Sequence, residues 1–157
     1  MEHKYPIEVC FTPALYHLYN NSENTVVIVD VLRATSSICA AIAAGAKKIL
    51  PVATIEQARE VKKQGYTLAA ERDGKVLDFA DFGNSPDLFT PERVKDKVIA
   101  YSTTNGTQAI EMAADAKQIL IGSFINLSAV TDFLINNPTP VLFLCSGWKN
   151  KFNLEDT

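Results

Sequence analysis

A run of β-branched residues near the amino terminus constrains the fold of this chain more than any other feature. Residues 25–31 are Thr-Val-Val-Ile-Val-Asp-Val, which is almost continuously apolar over the length of a typical strand. Such a run is typical of a strand covered on both faces, as in a parallel sheet. The pattern then changes, because Ile38, Ala41 and Ile42 share one helix face and Gly45 stands where a C-cap belongs. A buried strand followed by an amphipathic helix predicts an α/β fold.

Strand-like and helix-like segments alternate along the rest of the chain. Thr54 and Gln57 have the spacing of a capping box, which predicts the start of a helix. Residues 71–91 are rich in Gly, Asp, Asn and Pro and predict an irregular loop. The alternation predicts one domain with a largely parallel sheet between helical layers. The predicted strands are 7–11, 25–31, 49–52, 67–70, 98–101, 119–121 and 141–145.

Composition and charge argue against some classes of binding partner. The 157 residues are 47% apolar and 21% charged, and the formal net charge is −3. This acidic balance argues against nucleic acids and membrane surfaces, because both select basic faces. No segment reaches the roughly 18 apolar residues of a membrane span, and the amino-terminal residues lack the apolar core of a signal peptide. The three cysteines are far apart, which fits neither a metal motif nor a disulfide framework. We therefore expect a cytoplasmic protein that binds a small molecule.

Small polar and charged residues follow the predicted strands directly. In an open α/β sheet, ligands bind in the crevice outside the carboxyl ends of the strands. We therefore expect these residues to meet in one site although they are far apart in sequence. They are Asp30, Arg33, Thr35, Glu71, Arg72, Thr103, Thr104, Asn105, Gly106, Thr107, Ser123 and Ser146.

Asp30 is the sharpest candidate because it ends an apolar strand. A carboxylate in that position is costly to bury unless a cation or hydrogen bonds compensate its charge. Two interpretations remain open for Asp30. It caps the following helix, or it serves as a metal ligand or general base, and Mg²⁺ prefers one or two carboxylates together with substrate phosphate. Arg33 and Arg72 suit bidentate binding of a phosphate, carboxylate or sulfonate group.

The segment 102–107 offers hydroxyl groups at the start of a predicted helix, together with a backbone that Gly106 frees to take unusual angles. A helix N-terminus attracts anions, although the same residue types also serve as ordinary N-caps. Asn84 and Ser85, in the sequence Gly-Asn-Ser-Pro, form a weaker candidate, since a simple turn explains them.

Several enzyme classes are disfavoured by the motifs that this sequence lacks. The sequence contains neither G-x-G-x-x-G nor G-x-x-x-x-G-K-[ST], which argues against dinucleotide and nucleotide binding. Asp30 has no second Asp two residues later, unlike the aspartyl-phosphate phosphatases. Residues 145–151 are similar to a thiolate phosphatase loop, but Lys151 occupies the position where that loop requires Arg.

Five short motifs occur in one order along the chain. They are VDVLRATS at 29–36, GNSP at 83–86, STTNGT at 102–107, GSFIN at 122–126 and FNLED at 152–156. Together they resemble the 2-phosphosulfolactate phosphatase family from about residue 25 onwards. The resemblance implies a three-layer α/β/α sandwich with a largely parallel or mixed sheet, and a Mg²⁺-dependent phosphatase. The reaction that it implies is hydrolysis of 2-phospho-3-sulfolactate, or a related 2-hydroxy-acid phosphate, in coenzyme M biosynthesis. Because family members continue beyond the last motif, residues 1–157 are expected to be the amino-terminal part of a longer phosphatase.

The resemblance also implies roles for individual residues. Asp30, Glu71 and Asp156 become candidate metal or base groups, and Arg33 and Arg72 become anion clamps. A water molecule activated by the metal is the hypothesised nucleophile. The residues implied to bind substrate are Thr35, Asn84, Ser85, Thr103, Thr104, Asn105, Gly106, Thr107 and Ser123.

Two other interpretations remain open. The chain is a non-catalytic α/β module that binds a small anion, or it associates, for example as a homo-oligomer, through apolar surface at an uncovered sheet edge.

Overall fold

The computed structural model describes residues 5–19 and 22–157. The strands are β1 Ile7–Cys10, β2 Thr25–Val29, β3 Lys48–Pro51, β4 Thr67–Arg72, β5 Lys75–Val76, β6 Val98–Ser102, β7 Gln118–Gly122 and β8 Val141–Cys145. The α-helices are α1 Ala34–Ala43, α2 Ile55–Lys63, α3 Pro91–Val94, α4 Gly106–Met112 and α5 Leu127–Asn136. Short 3₁₀ helices span Pro13–Leu18, Pro86–Leu88, Phe124–Asn126 and Leu154–Asp156.

The strands form two four-stranded sheets. The first has the order β1-β8-β2-β7, and all its strand pairs are parallel. The second has the order β3-β6-β4-β5, and only the β4–β5 pair is antiparallel. The α/β class and the three-layer sandwich are thus confirmed, with largely parallel pairing divided between two sheets instead of one. In the part of the chain that the structure describes, no helix is both long and apolar enough to cross a membrane.

The centre of β2 is fully buried, as its β-branched run predicts. Val26, Val27 and Ile28 have no exposed surface, and burying each such side chain contributes about 1.5–3 kcal/mol relative to exposure. Val26 and Ile28 pack in one cluster with Ala109 of α4. Ile38 of α1 packs instead in a second cluster with strand β6. Helices α1 and α4 therefore lie where the two sheets come together.

Two predicted helix boundaries are confirmed by their capping contacts. The Thr54 hydroxyl accepts a hydrogen bond from the Gln57 N–H at 3.1 Å, and Gln57 Oε1 accepts one from the Thr54 N–H at 3.0 Å. This reciprocal pair begins α2. At the end of α1, Gly45 has φ +94°, a conformation that side chains rarely adopt.

The carboxyl ends of the central strands place the predicted polar residues. Strand β2 ends just before Asp30, and β6 ends just before Thr103. Strand β4 is longer than predicted, since it includes Glu71 and Arg72 and pairs with β5 inside the stretch that was predicted to be a loop. The carboxyl ends of strands from both sheets therefore face a common region.

Candidate active site

A cleft of about 160 Å³ lies between the carboxyl ends of the strands of the two sheets. Two larger grooves elsewhere are lined mainly by aliphatic side chains, so the number of predicted residues that meet here, and not size, distinguishes this cleft. Six of its nine lining residues were predicted from the sequence, which supports the strand-end argument. The lining consists of Asp30, Leu32, Arg33, Glu71, Gly74, Asn84, Thr103, Asn105 and Trp148.

Asp30 both caps α1 and lines the cleft. Its side chain is 7% exposed, and Oδ1 accepts a hydrogen bond from the Ala34 N–H at 3.0 Å. Its carbonyl oxygen also accepts hydrogen bonds from the N–H and the hydroxyl of Thr35. Burial raises the pKa of Asp30, the Ala34 N–H offsets part of this, and the negative charge of Glu71 adds to it. Asp30 is therefore a desolvated carboxylate whose ionised form is disfavoured unless a cation lies nearby.

Gly106 allows α4 to approach this carboxylate closely. A Cβ atom at position 106 would lie 2.8 Å from Asp30 Oδ2 and 2.5 Å from the Cβ atom of Ala34. The described glycines with positive φ do not include Gly106. Glycine is therefore required here by close packing and not, as the sequence suggested, by unusual backbone angles.

Glu71 connects the loops that follow β4 and β6. Its Oε1 accepts a hydrogen bond from the Thr104 N–H at 2.7 Å. Its Oε2 accepts one from the Gly74 N–H at 2.8 Å and one from the Thr104 hydroxyl at 3.2 Å. A carboxylate has about four acceptor sites, so Glu71 can organise both loops and still bind a cation at the cleft. Thr104, predicted to bind phosphate, positions Glu71 through its N–H and hydroxyl groups.

Arg33 is held at the cleft by the Gly-Asn-Ser-Pro turn. Its Nη1 donates to the Ser85 hydroxyl at 2.7 Å, and its Nη2 donates to Asn84 Oδ1 at 3.2 Å. The Asn84 carbonyl oxygen in turn accepts a hydrogen bond from the Ser37 hydroxyl of α1. Because a guanidinium group has five N–H donors, Arg33 retains donors for an anionic ligand.

Arg72 has a different environment. Its Nη1 donates to the Glu71 carbonyl oxygen at 2.6 Å, while its Nη2 donates to the Ala53 carbonyl oxygen at 2.8 Å and the Ser102 hydroxyl at 2.9 Å. Burial lowers the pKa of Arg72, and the charge of Glu71 partly restores it. Arg72 is absent from the cleft lining. It connects β4 to β6 and to the segment after β3, and its role as an anion clamp stays a prediction.

Asp156 connects the loops that follow β2 and β8. Its Oδ1 accepts a hydrogen bond from the Val31 N–H, and its Oδ2 accepts one from the Gly147 N–H, both at 3.0 Å. Burial and the charge of Asp30 raise the pKa of Asp156 to about 7. Among the described residues, no group of three or more His, Cys, Asp or Glu is placed to hold a metal ion. The three carboxylates predicted as metal ligands therefore do not assemble as a trio, whereas Asp30 and Glu71 share the cleft.

Three other residues that were predicted to bind substrate lie outside the lining. Thr107 exchanges hydrogen bonds with Thr103, since each hydroxyl accepts from the backbone N–H of the other residue at 3.1–3.3 Å. Thr35 is fully buried against the backbone of Asp30. Ser123 caps a 3₁₀ helix and lines a separate, mainly apolar cavity. The first two support cleft residues, and Ser123 lies apart from them.

The loop after β8 contributes residues that sequence reasoning did not assign to the site. Trp148 lines the cleft and is 45% exposed. The Lys149 N–H donates to Asn105 Oδ1 at 2.9 Å, and Lys149 Nζ lies 2.7 Å from Asp73 Oδ1. The signal available in the sequence was Gly147, two residues after a buried strand, and the structure gives it a φ of +57°.

Comparison with known proteins places this cleft in a family. The family model for 2-phosphosulpholactate phosphatase matches residues 10–157, a range that contains every lining residue. The chain belongs to the 2-phosphosulpholactate phosphatase family. This confirms the resemblance that the five motifs indicated.

Curated members of the 2-phosphosulpholactate phosphatase family match most of the chain. A probable 2-phosphosulfolactate phosphatase of Caldanaerobacter subterraneus is 36% identical over 151 residues, which cover 90% of this chain and 63% of that protein. The protein of the same name in Thermotoga maritima is 42% identical over 132 residues, covering 84% of this chain and 57% of its own length. The protein of the same name in Carboxydothermus hydrogenoformans is 41% identical over 152 residues, which cover 96% of this chain and 62% of that protein. The chain thus spans 57–63% of the length of these relatives.

Proposed function

We propose that the chain is a Mg²⁺-dependent phosphatase that hydrolyses 2-phospho-3-sulfolactate, or a related 2-hydroxy-acid phosphate, to the hydroxy acid and phosphate. The observation that carries this proposal is the polar cleft, in which Asp30, Glu71 and Arg33 converge from distant parts of the sequence. Membership of the family supports the same reaction, since relatives that share this cleft-forming stretch are named for it. We propose coenzyme M biosynthesis as the metabolic setting.

Asp30 and Glu71 fit the donor set of a magnesium site. Mg²⁺ is usually bound by one or two carboxylates together with substrate phosphate. Burial and the neighbouring charge of Glu71 raise the pKa of Asp30, and a cation between the two carboxylates would remove this repulsion. These two residues would hold the ion, which would neutralise phosphate charge and acidify the attacking water.

Arg33 would bind the phosphate group. Because Ser85 and Asn84 each accept one of its hydrogen bonds, the guanidinium plane is fixed before the ligand arrives. A fixed plane can present two parallel N–H groups to two phosphate oxygens. This pre-positioning lowers the entropic cost of reaching a reactive geometry.

Asn105 would donate to an anionic oxygen of the ligand. Its Oδ1 accepts the hydrogen bond from the Lys149 N–H, which leaves the amide nitrogen as the group that can donate. The hydroxyl of Thr103, held by its exchange with Thr107, adds a neutral polar group to the lining. Asn105 and Thr103 are both uncharged, so neither holds the anionic product by an ionic bond when it leaves.

The reaction consumes one water molecule. The water oxygen bonds to phosphorus while the bond between phosphorus and the C2 oxygen breaks. One proton of the water ends on the hydroxy acid, and the other ends on the released phosphate. Phosphate monoesters hydrolyse very slowly without a catalyst, so positioning and charge neutralisation must supply most of the acceleration.

The test is phosphate release by the 157-residue chain from 2-phosphosulfolactate and 2-phospholactate, each with Mg²⁺ and with EDTA. We expect release only with Mg²⁺. Release that persists in EDTA would contradict the metal-dependent mechanism. If neither compound is hydrolysed but calorimetry detects their binding, the anion-binding module replaces the phosphatase as the better account.

A further inference from the structure

The proposed substrate carries more negative charge than the cations of the cleft lining can neutralise. 2-Phospho-3-sulfolactate bears a phosphate, a carboxylate and a sulfonate group. The lining contains one cation, Arg33, and two carboxylates, Asp30 and Glu71. A divalent ion bound by these carboxylates would neutralise charge on the phosphate. The remaining acid groups of the substrate therefore need a further cation, which must lie outside the lining, at the rim of the cleft.

Lys149 provides a cation at that rim. It directly follows Trp148, which lines the cleft, and its ammonium nitrogen lies 5.7 Å from the centre of the Trp148 ring. The ammonium is paired with Asp73 at 2.7 Å, and the two side chains are 53% and 57% exposed. Exposed ion pairs contribute little to stability. The ammonium can therefore exchange Asp73 for an anionic group of a ligand at small cost.

The backbone of Lys149 is fixed to the wall of the cleft. Its N–H donates to the side chain of Asn105, a lining residue, at 2.9 Å. Trp148 and Lys151 exchange backbone hydrogen bonds at 2.9 and 3.0 Å across the same turn. The start of the Lys149 side chain is thus held against the cleft, while its charged end stands at the exposed rim.

The two carboxylates proposed to hold the ion are buried, whereas the cations Arg33 and Lys149 are exposed. Asp30 and Glu71 are 7% and 6% exposed, whereas the Lys149 side chain is 53% exposed. The phosphate and carboxylate groups of the substrate both branch from C2, and the sulfonate is carried by C3. When the phosphate lies beside the buried carboxylates, the sulfonate is the acid group best placed to extend to the rim.

We propose that Lys149 determines specificity by binding the sulfonate group, and that Asp73 holds the ammonium at the rim until the ligand displaces it. This inference rests on the proposed function, since it assigns one group of the same substrate to a further residue. It predicts that the sulfonated substrate binds more tightly than the otherwise similar 2-phospholactate.

The test compares kcat/KM for 2-phosphosulfolactate and 2-phospholactate in the phosphate-release assay with Mg²⁺, because the proposed mechanism needs the ion to bind the phosphate. We expect kcat/KM of the wild-type chain to be about tenfold higher for the sulfonated compound, the effect of one favourable charged contact. Lys149→Met should abolish this preference by lowering kcat/KM mainly for the sulfonated compound. Lys151→Met removes a neighbouring exposed lysine of the same turn, and should keep the preference.

Asp73→Asn distinguishes binding of the sulfonate by Lys149 from a purely structural role of the Lys149–Asp73 ion pair. If Lys149 only connects two loops through its ion pair, Asp73→Asn and Lys149→Met should have the same effect, which would overturn the inference. If Lys149 binds the sulfonate, Asp73→Asn frees the ammonium and should keep or increase the preference. A wild-type chain with equal kcat/KM for both compounds would refute this inference alone. A chain that hydrolyses neither compound with Mg²⁺ would refute the proposed function together with it.

Discussion

Replacing Gly106 by alanine tests the packing that places Asp30 at the cleft. The new Cβ atom would lie 2.5 Å from the Cβ atom of Ala34 and 2.8 Å from Asp30 Oδ2. Carbon atoms in favourable contact are about 3.5–4 Å apart, so the start of α1 or of α4 must move by about 1 Å. Because Asp30 accepts a hydrogen bond from the first residue of α1, this movement also displaces the carboxylate.

Two opposing effects set the magnitude for Gly106→Ala. Overpacking costs roughly 1–3 kcal/mol, and the better helix propensity of alanine offsets up to about 1 kcal/mol. We expect a net loss of about 1 kcal/mol in the free energy of unfolding, which lowers Tm by roughly 2–4 °C in a chain of this size. A displacement of about 1 Å in the site predicts a loss of about 100-fold in kcat/KM.

The assay combines thermal unfolding with phosphate release in Mg²⁺. The control is the double variant Gly106→Ala with Ala34→Gly, which removes the contact between the two Cβ atoms but leaves the contact with Asp30. The double variant should lose less unfolding free energy than the two single variants lose in sum. Its kcat/KM should stay low, because the contact with Asp30 remains. A Gly106→Ala variant with unchanged Tm and kcat/KM would refute the reasoning.

Three further predictions concern binding, pH dependence and stability. Arg33→Lys should lower kcat/KM in the phosphate-release assay at least about tenfold, because lysine cannot present two parallel N–H groups; an unchanged value would exclude bidentate phosphate binding. The pKa of Asp156 is raised from 3.8 to about 7, so its contribution to the free energy of unfolding is fully present below about pH 4 and lost as the pH rises through about 7. Tm measured against pH should fall over this window, and Asp156→Asn should flatten the fall; an equal slope in both proteins would contradict the raised pKa. Thr54→Ala should lower the free energy of unfolding by about 1 kcal/mol through loss of the cap on Gln57, with unchanged phosphate release; a loss of activity at equal stability would show that this helix start affects the site.

The sequence predicted the fold where local pattern and burial agree. The run from Thr25 to Val29 forms a buried strand, and the capping residues Thr54 and Gly45 mark helix boundaries, because each signal depends on neighbours along the chain. The division into two sheets was not predicted. It depends on which strands pair across the molecule, and a run of apolar residues carries no information about its partner.

The sequence predicted which residues lie near the candidate site, but not the direction in which their side chains point. Asp30 and Arg33 lie in the cleft because they follow the carboxyl end of a central strand. Arg72 also ends a strand, yet its guanidinium group donates to the carbonyl oxygens of Glu71 and Ala53 and to the Ser102 hydroxyl. Asp156 carries a charge at a motif position, but its oxygens are taken by two backbone N–H groups. Polar residues at strand ends can satisfy backbone groups as readily as a ligand, and only the tertiary structure separates the two uses.

Asp30→Asn tests the central claim most directly. Asparagine keeps an oxygen that can accept the Ala34 N–H bond, and it removes a carboxylate whose charged form is disfavoured by burial. Asp132→Asn, an exposed change on α5, is the matched control. The quantities to measure are Mg²⁺-dependent phosphate release from 2-phosphosulfolactate and Tm, for the wild-type chain and both variants. We predict that Asp30→Asn nearly abolishes release while Tm at neutral pH is equal or higher, and that Asp132→Asn changes neither. Release at the wild-type rate from a folded Asp30→Asn variant would contradict the assignment of this cleft as the phosphatase site.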